Sequence, residues 1–565
     1  MLNLIPEVKE LKLLGGTLAK KAVCFDKSKY TPRLAKALSK LPADDFGAKL
    51  YIVYGEGSSE GYSLNISETD ISIKAESERG AFYAIQTLRQ IFEADEIPTL
   101  TINDKPDFEY RGFYHDVTRG KVATVDTIKG LIDKMAYFKM NALQLYVEHV
   151  FEFEECRDII EATSYLTGAE LRELDEYCKD NFIDFQPSLS TFGHLFELLE
   201  QEKYHHLRVI KDFVEDPCRW YDRMVHHTID PSNPESIEIV KSLIDQYAPH
   251  FTSEYFNICC DETFDLKNSF EPEVEGELYI DFVKKIIAHV QSKGLRVMMW
   301  ADILLQHPER ITDIPEDVYF LNWTYGAEPD ENKFATFAKL GRRQIVCPGT
   351  TTWNRFCERV EIEEANITRL AEYGYKYGAV GMLNTNWGDY GNPCSLETAY
   401  YGMVLGAAKS WNIKTQPDEA FYADVNAVLY KNPNAMSYLR RISDVHNDIR
   451  WEHIVRAAYY HREGKAFDFS LTAKAVTAAQ ELYSELYPEI SAQDWQHEDF
   501  KAEMLLALDG VCVLAELGAK LAGVECSRVT DTKAFLERYR ERWLAKNKIS
   551  ELERIEDVLL YIDSL

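Results

Sequence analysis

The sequence has no run of about 18 apolar residues, so no segment is expected to span a membrane. Its longest uncharged stretch, around Gly510-Val-Cys-Val-Leu-Ala515, has core character. Basic residues are scarce: 63 Lys and Arg stand against 93 Asp and Glu, a net charge of −30, with no local basic patch. That excludes binding to phosphate backbones and so a nucleic-acid partner. The 11 cysteines are odd in number and have no repeated spacing, and Cys259-Cys260 sit side by side in an apolar run. This excludes a disulfide framework and reads as reduced, buried thiols. There is no His-Glu-x-x-His, no Cys-x-x-Cys and no glycine-rich phosphate loop, so no metal and no cofactor are expected. The first ten residues lack a basic start, an apolar run and a small-residue cleavage site, and a cytoplasmic location is the expectation. No internal repeat or low-complexity tract is present. A hydrophobic content of 46% with 12% aromatics excludes a mainly disordered chain.

The 565 residues are enough for several domains or one large barrel with attachments. Residues 1–105 read as a small α/β unit. It has β-like runs at Lys49–Tyr54, Tyr62–Ile66 and Ile71–Ala75, then a helix from about Ser77 to Phe92, and it is closed by Pro98 and Pro106. From 106 to 412 the pattern becomes strand, loop, helix, repeated. Eight apolar strand candidates are Gly112–Val117, Ala142–Val147, Phe182–Pro187, Tyr255–Cys260, Arg296–Trp300, Val318–Trp323, Gln344–Cys347 and Ala379–Leu383. Helical faces lie between most of them; after the fifth strand the helix is poorly marked. Continuous apolar strands separated by helices imply a parallel sheet covered on its faces. Eight such units predict an α/β fold built on a (β/α)₈ barrel. Residues 413–565 are rich in Ala, Leu, Glu and Lys at helical spacing. This α-helical region is expected to cap one side of the cleft or to mediate a homodimer.

Barrel active sites form at the carboxyl ends of the strands. Two features stand out there. One is a carboxylate pair closing the fourth strand, Asn257-Ile-Cys-Cys-Asp261-Glu262. The other is a set of tryptophans, Trp300, Trp323, Trp353 and Trp387, after the fifth to eighth strands. Pyranose rings have apolar faces and polar edges, which flat aromatic walls with carboxylates and arginine at the rim suit. Two neighbouring carboxyl groups can divide into an ionised group and a protonated acid, the equipment for cleaving a glycosidic bond. Each residue also has a plainer reading. An Asp-Glu pair is common in so acidic a chain, tryptophans usually pack, and His194, His205-His206 and His226-His227 read as structural or surface histidines. The inference rests on co-location at strand ends.

Several segments together resemble the β-N-acetylhexosaminidases of glycoside hydrolase family 20. They are Glu60-Gly-Tyr-Ser-Leu, Arg79-Gly-Ala-Phe-Tyr-Ala-Ile-Gln-Thr-Leu-Arg-Gln90, Tyr110-Arg-Gly-Phe-Tyr-His-Asp-Val-Thr-Arg119, Thr127–Asn141, Gly193-His194, Asp230-Pro-Ser-Asn-Pro234, Cys260-Asp-Glu262 and Asn386-Trp-Gly-Asp389. The resemblance implies a retaining exo-hydrolase of terminal β-linked GlcNAc or GalNAc that works by substrate-assisted catalysis, in which the substrate's acetamido oxygen attacks the anomeric carbon to give an oxazolinium ion. It implies Glu262 as general acid and then base, and Asp261 as the group that holds the acetamido N–H. It further implies Arg111 and Asp389 on the distal sugar hydroxyls, His194 at the site, and Trp300, Trp387 and either Trp323 or Trp353 as pocket walls.

The family's usual His-Leu-Thr-Asp-Asp after the second strand reads Tyr146-Val-Glu-His-Val here. Ser190 replaces an aspartate before Gly193-His194. Trp353-Asn354 stand where a tyrosine usually meets the acetamido oxygen, and Tyr325 is the expected replacement. The alternatives are a carbohydrate-binding pseudoenzyme on the same barrel and a family-20 enzyme releasing a disaccharide or a sulfated amino sugar. The expected partner is a glycan with a terminal β-amino sugar.

Overall fold

A computed structural model describes residues 2–55, 60–160 and 164–565. The amino-terminal unit is one six-stranded sheet. Its strands are β1 (Glu10–Thr17), β2 (Val23–Cys24), β3 (Ala48–Tyr54), β4 (Tyr62–Ile66), β5 (Asp70–Ala75) and β6 (Pro98–Asp104), in the order β1-β6-β4-β5-β3-β2. Alternation along β4 and β5 buries Leu64, Ile66, Ile71 and Ile73 under the helix Glu78–Ile91, which presents Phe82, Ile85 and Leu88. The sequence reading missed β1, the two-residue β2 and β6. β1 is an edge strand exposed along most of its length, so it carries no alternating signal. In β6 the proline takes the first position, where a missing N–H is tolerated.

The barrel is closed by eight parallel strands: β7 (Tyr110–Asp116), β8 (Ala142–Val147), β9 (Asp184–Leu189), β10 (Tyr255–Asn257), β11 (Arg296–Trp300), β12 (Tyr319–Trp323), β13 (Arg343–Cys347) and β14 (Gly381–Asn386). β14 returns to β7 in register from Gly381 opposite Tyr110 to Asn386 opposite His115. A Cβ at Gly381 would meet the Tyr110 carbonyl at 1.9 Å, so only glycine lets this seam close. Every residue of β7, β8 and β14 is buried, as strands covered on both faces require. The poorly marked fifth connection is a short helix, Asp302–Gln306, and a 3₁₀ turn.

Helices follow from Glu419 to Ser564. Glu498–Ala522 is the most deeply buried of the long ones, and its Gly510 packs against Phe356 of the loop after β13. No helix among the described residues is long and apolar enough to cross a membrane.

Buried ion pairs join the amino-terminal sheet to the lower rim of the barrel. Lys139 Nζ meets Asp104 Oδ2 at 3.1 Å and the Tyr62 hydroxyl at 3.0 Å, and Trp411 Nε1 donates to the same aspartate. Breaking such a pair leaves an uncompensated buried charge, at a cost of about 3–5 kcal/mol. Asp104→Ala is therefore expected to lower stability by about that amount in denaturant unfolding, while KM of the folded fraction stays unchanged.

Candidate active site

The carboxylate pair sits on a strained turn. β10 ends at Asn257, earlier than the apolar run suggests, because Cys259, Cys260 and Glu262 take left-handed conformations, with φ of 56°, 66° and 48°. Such residues cost on the order of 1–3 kcal/mol each and persist where the surroundings over-determine them. Here Asn257 Oδ1 accepts from Cys259 N at 2.9 Å. Trp300 N donates to the Cys259 carbonyl at 3.0 Å, and the Tyr279 hydroxyl to the Cys260 carbonyl at 2.8 Å. Glu262 N donates to Asp302 Oδ2 at 3.0 Å. Gly193 lies so close below that a Cβ there would stand 2.4 Å from the Asp261 carbonyl.

The turn aims both carboxylates at His194, whose Nε2 is 3.4 Å from Asp261 Oδ2 and 3.4 Å from Glu262 Oε2. The Asp261 side chain is 9% exposed and that of Glu262 24%, so the glutamate reaches furthest towards solvent. Asp261 Oδ1 is buried and makes no hydrogen bond among the described residues. His194 N donates to His227 Nδ1 at 2.7 Å, and the two rings stack at 4.3 Å. Burial and the neighbouring His194 hold His227 neutral, well below the ordinary imidazole range. For His194, burial opposes the charged ring, but Asp261 and Glu262 favour it and push it up to about 10. The hydrogen bond on the ring's other side conflicts with double protonation. Arg119 Nη2 lies 3.1 Å from Nδ1, and a guanidinium N–H can only donate there. The arrangement as it stands holds one proton on Nε2, facing the carboxylates.

Arg119 follows β7, and its side chain hydrogen-bonds four partners, with Asp116 Oδ2 also 3.9 Å from Nε. Its Nη1 meets Asp389 Oδ1 at 2.6 Å, Nε meets Glu148 Oε1 at 3.2 Å, and Nη2 meets the Tyr146 hydroxyl at 3.3 Å as well as His194. The guanidinium carbon also lies 5.3 Å from the Trp387 ring centroid. Burial raises Asp389 above the ordinary carboxylate range against the pull of Arg119.

The aromatic wall is continuous. Trp300 is fully buried, 5.8 Å from Trp387 and 5.2 Å from Tyr114. Trp387 Nε1 donates to the Tyr325 hydroxyl at 2.7 Å. Tyr325 stacks on Trp323 and meets Trp353 edge-on, each at 5.0 Å between centroids. Nine of the ten residues expected at the site, Asp261, Glu262, Tyr325, His194, Trp300, Trp323, Trp353, Trp387 and Asp389, thus come together at one end of the barrel.

Arg111 does not. It lies at the start of β7, at the opposite end, with its side chain fully buried against the amino-terminal sheet. It donates to Glu60 Oε2 at 2.7 Å, the Tyr83 hydroxyl at 3.0 Å and the carbonyls of Lys139 and Phe108. Its expected place beside the sugar is corrected: Arg119 is the arginine at the carboxyl ends. Sequence reasoning could have chosen it, since the strand-end rule favours the residue after β7 over the one that begins it. It also passed over Asp302, Glu148 and Tyr146; Glu148-His149 stood after the second strand without an assigned role.

One ligand atom from each of His194, Asp261 and Glu262 lies within 4.8 Å of the others, but with its proton on Nε2 and Arg119 on Nδ1 the ring presents no lone pair to a cation, which leaves the two carboxylates as the available donors.

The chain matches the profile described as glycosyl hydrolase family 20, catalytic domain, over residues 108–411, and that described as glycosyl hydrolase family 20, domain 2, over residues 1–105. The chain belongs to glycosyl hydrolase family 20. The chain is 23% identical over 405 residues to a lacto-N-biosidase of Bifidobacterium bifidum, covering 68% of this chain and 33% of that protein. It is 28% identical over 286 residues to a β-hexosaminidase of Porphyromonas gingivalis, covering 43% of this chain and 36% of that protein. It therefore spans about a third of the length of each. Its fold is similar to that of a Flavobacterium johnsoniae chitobiase, with a TM-score of 0.62 and 18% identity over 95% of this chain and 96% of that one.

Asp302 offers a pH test. Burial, and then the nearby Asp261, raise its carboxyl from 3.8 to about 7. The folded protein then binds this proton more tightly than the unfolded chain does, so its contribution to stability falls as pH rises between those values. Asp302→Asn keeps an oxygen for Glu262 N and removes the titration. Unfolding free energy measured across this range is expected to decline less steeply with pH in the variant than in the wild type.

Proposed function

We propose that this family-20 chain is a retaining exo-β-N-acetylhexosaminidase that removes a terminal β-linked GlcNAc or GalNAc with help from the substrate's own acetamido group. The observation that carries the reading is that the Asp261-Glu262 pair meets His194 at the carboxyl ends of the strands, where Trp300, Trp387, Tyr325, Trp323 and Trp353 gather, with one buried aspartate oxygen lacking a hydrogen bond among the described residues. Glu262, the more exposed of the two, is the general acid that protonates the leaving oxygen and then the base that activates water. Asp261 accepts the acetamido N–H and stabilises the positive charge that develops on the oxazolinium ring.

Trp300 and Trp387 serve as walls for the acetamido methyl group and the sugar face, with Trp323 and Trp353 completing the box. Tyr325, already a hydrogen-bond partner of Trp387, is the hydroxyl nearest in role to the missing acetamide-binding tyrosine. Arg119 takes the part first expected of Arg111 and, with Asp389, meets the distal hydroxyls. That ion pair, held at 2.6 Å, supports release of a single sugar rather than a disaccharide. The similarity to a lacto-N-biosidase makes a lacto-N-bioside the natural competing substrate to assay. The natural partner is a glycan ending in a β-amino sugar.

The reading is tested with p-nitrophenyl β-N-acetylglucosaminide. Turnover is expected to persist in excess chelator and to be blocked by a thiazoline mimic of the oxazoline. Glu262→Gln should lower kcat by about 10²–10⁴-fold, and Asp261→Asn by about 10²–10³-fold. Undiminished turnover in Glu262→Gln would place the acid elsewhere. Tight sugar binding by a wild type without turnover would favour the pseudoenzyme. Faster release of lacto-N-biose than of GlcNAc would favour the disaccharide reading.

A further inference from the structure

The loop that carries Arg119 is held from outside the barrel. Residues 120–127 run beside the segment 546–551, which joins the last two helices of the carboxyl-terminal region. Thr124 N donates to the Lys546 carbonyl at 2.9 Å, Lys548 N to Val122 at 2.8 Å and Glu551 N to Gly120 at 3.4 Å, and the Thr127 hydroxyl caps the same Lys546 carbonyl at 2.6 Å. Gly120, with φ of 123°, leaves no space for a side chain, because a Cβ there would stand 2.2 Å from the Gly391 carbonyl, two residues past Asp389.

A chain of charges, half-buried at Glu551 and buried from Arg223 inward, follows the same route. Glu551 Oε2 accepts from Trp220 Nε1 at 2.6 Å and Oε1 from Arg223 Nη1 at 3.0 Å. Arg223 Nη2 continues to Glu148 Oε2 at 3.1 Å and to the Thr118 carbonyl at 3.1 Å. Glu148 Oε1 then meets Arg119. Glu148 is thus shared between two guanidinium groups, and although burial raises its carboxyl, Arg223 and Arg119 hold it well below the ordinary range. Glu551 neutralises Arg223 from the far side. Without that charge Arg223 has Glu148 as its remaining carboxylate among the contacts above, and the pull on Glu148 away from Arg119 grows.

We infer that Glu551, through Arg223 and Glu148, is a positioning residue for Arg119, so that the carboxyl-terminal helical region sets the affinity of the pocket for the distal edge of the sugar. This rests on the reading that Arg119 and Asp389 hold the distal hydroxyls. Glu551 lies beyond residue 411, where the match to the catalytic-domain profile ends.

The test compares p-nitrophenyl β-N-acetylglucosaminide with its 3-deoxy and 4-deoxy analogues. Glu551→Gln is expected to raise KM for the parent substrate about 5- to 20-fold, to leave kcat within about twofold, and to shrink the preference over a deoxy analogue by a similar factor. Glu551→Asp should recover part of the loss. Arg223→Lys, which keeps the charge but loses the fork, should show the same pattern and serves if Glu551→Gln does not fold. In an Arg119→Ala background, Glu551→Gln should add nothing further to the loss of discrimination. Wild-type KM and discrimination in both Glu551→Gln and Arg223→Lys would overturn the inference. Discrimination that survives in Arg119→Ala would instead overturn the pocket reading on which it rests.

Discussion

The polar half of this site depends on one buried cation. Arg119 lies among Asp389, Glu148, Tyr146 and His194, which are placed by three different strand ends, those of β14, β8 and β9. Two hydrogen-bonded carboxylates make burial of the guanidinium tolerable, and in turn Arg119 keeps those carboxylates in place. It also fixes the histidine. By occupying Nδ1 it directs the ring's one proton towards Asp261 and Glu262. The carboxylate pair therefore sits in a field set by the opposite rim of the pocket.

The second constraint is steric and lies in the backbone. Three left-handed residues around Asp261 turn the end of β10 so that neighbouring residues in sequence point to one side. In a regular strand, adjacent side chains face opposite sides of the sheet. The turn is what lets both carboxyl groups reach the same imidazole. Its anchors come from Asn257, Asp302 and the glycine before His194 at three neighbouring strand ends, and from Tyr279 of the helix Pro272–Ser292, so the strain is distributed over several elements.

The barrel could be read from the sequence because its strands are buried on both faces and appear as unbroken apolar runs. The tryptophans and the Asp261-Glu262 pair could be read because each follows such a run. The end of β10 could not: Cys259 and Cys260 are apolar and continue the pattern, although their backbone has already left the strand. Arg111 was misplaced because the resemblance covered both ends of β7 and was applied to the wrong one; the position of Arg111 at the strand's first turn already put it at the floor of the barrel. Asp302 stands two residues after Trp300, but its hydrogen bond to Glu262 is a contact across strands that spacing cannot show. The links from Glu551 to Arg223 and from Arg223 to Glu148 span 328 and 75 positions, and nothing local marks them.

Substrate-assisted cleavage in this pocket makes one demand of geometry: the amide of the sugar must lie between Asp261 and the tryptophans while the distal hydroxyls reach Arg119. A crystal structure with a GlcNAc-derived thiazoline bound measures this directly. The account predicts the thiazoline nitrogen within hydrogen-bond distance of Asp261, its methyl group between Trp300 and Trp387, and the hydroxyls furthest from the anomeric carbon on Arg119 and Asp389. A ligand seated away from the Asp261-Glu262 turn, or held with its acetamide-derived ring facing solvent, would contradict it.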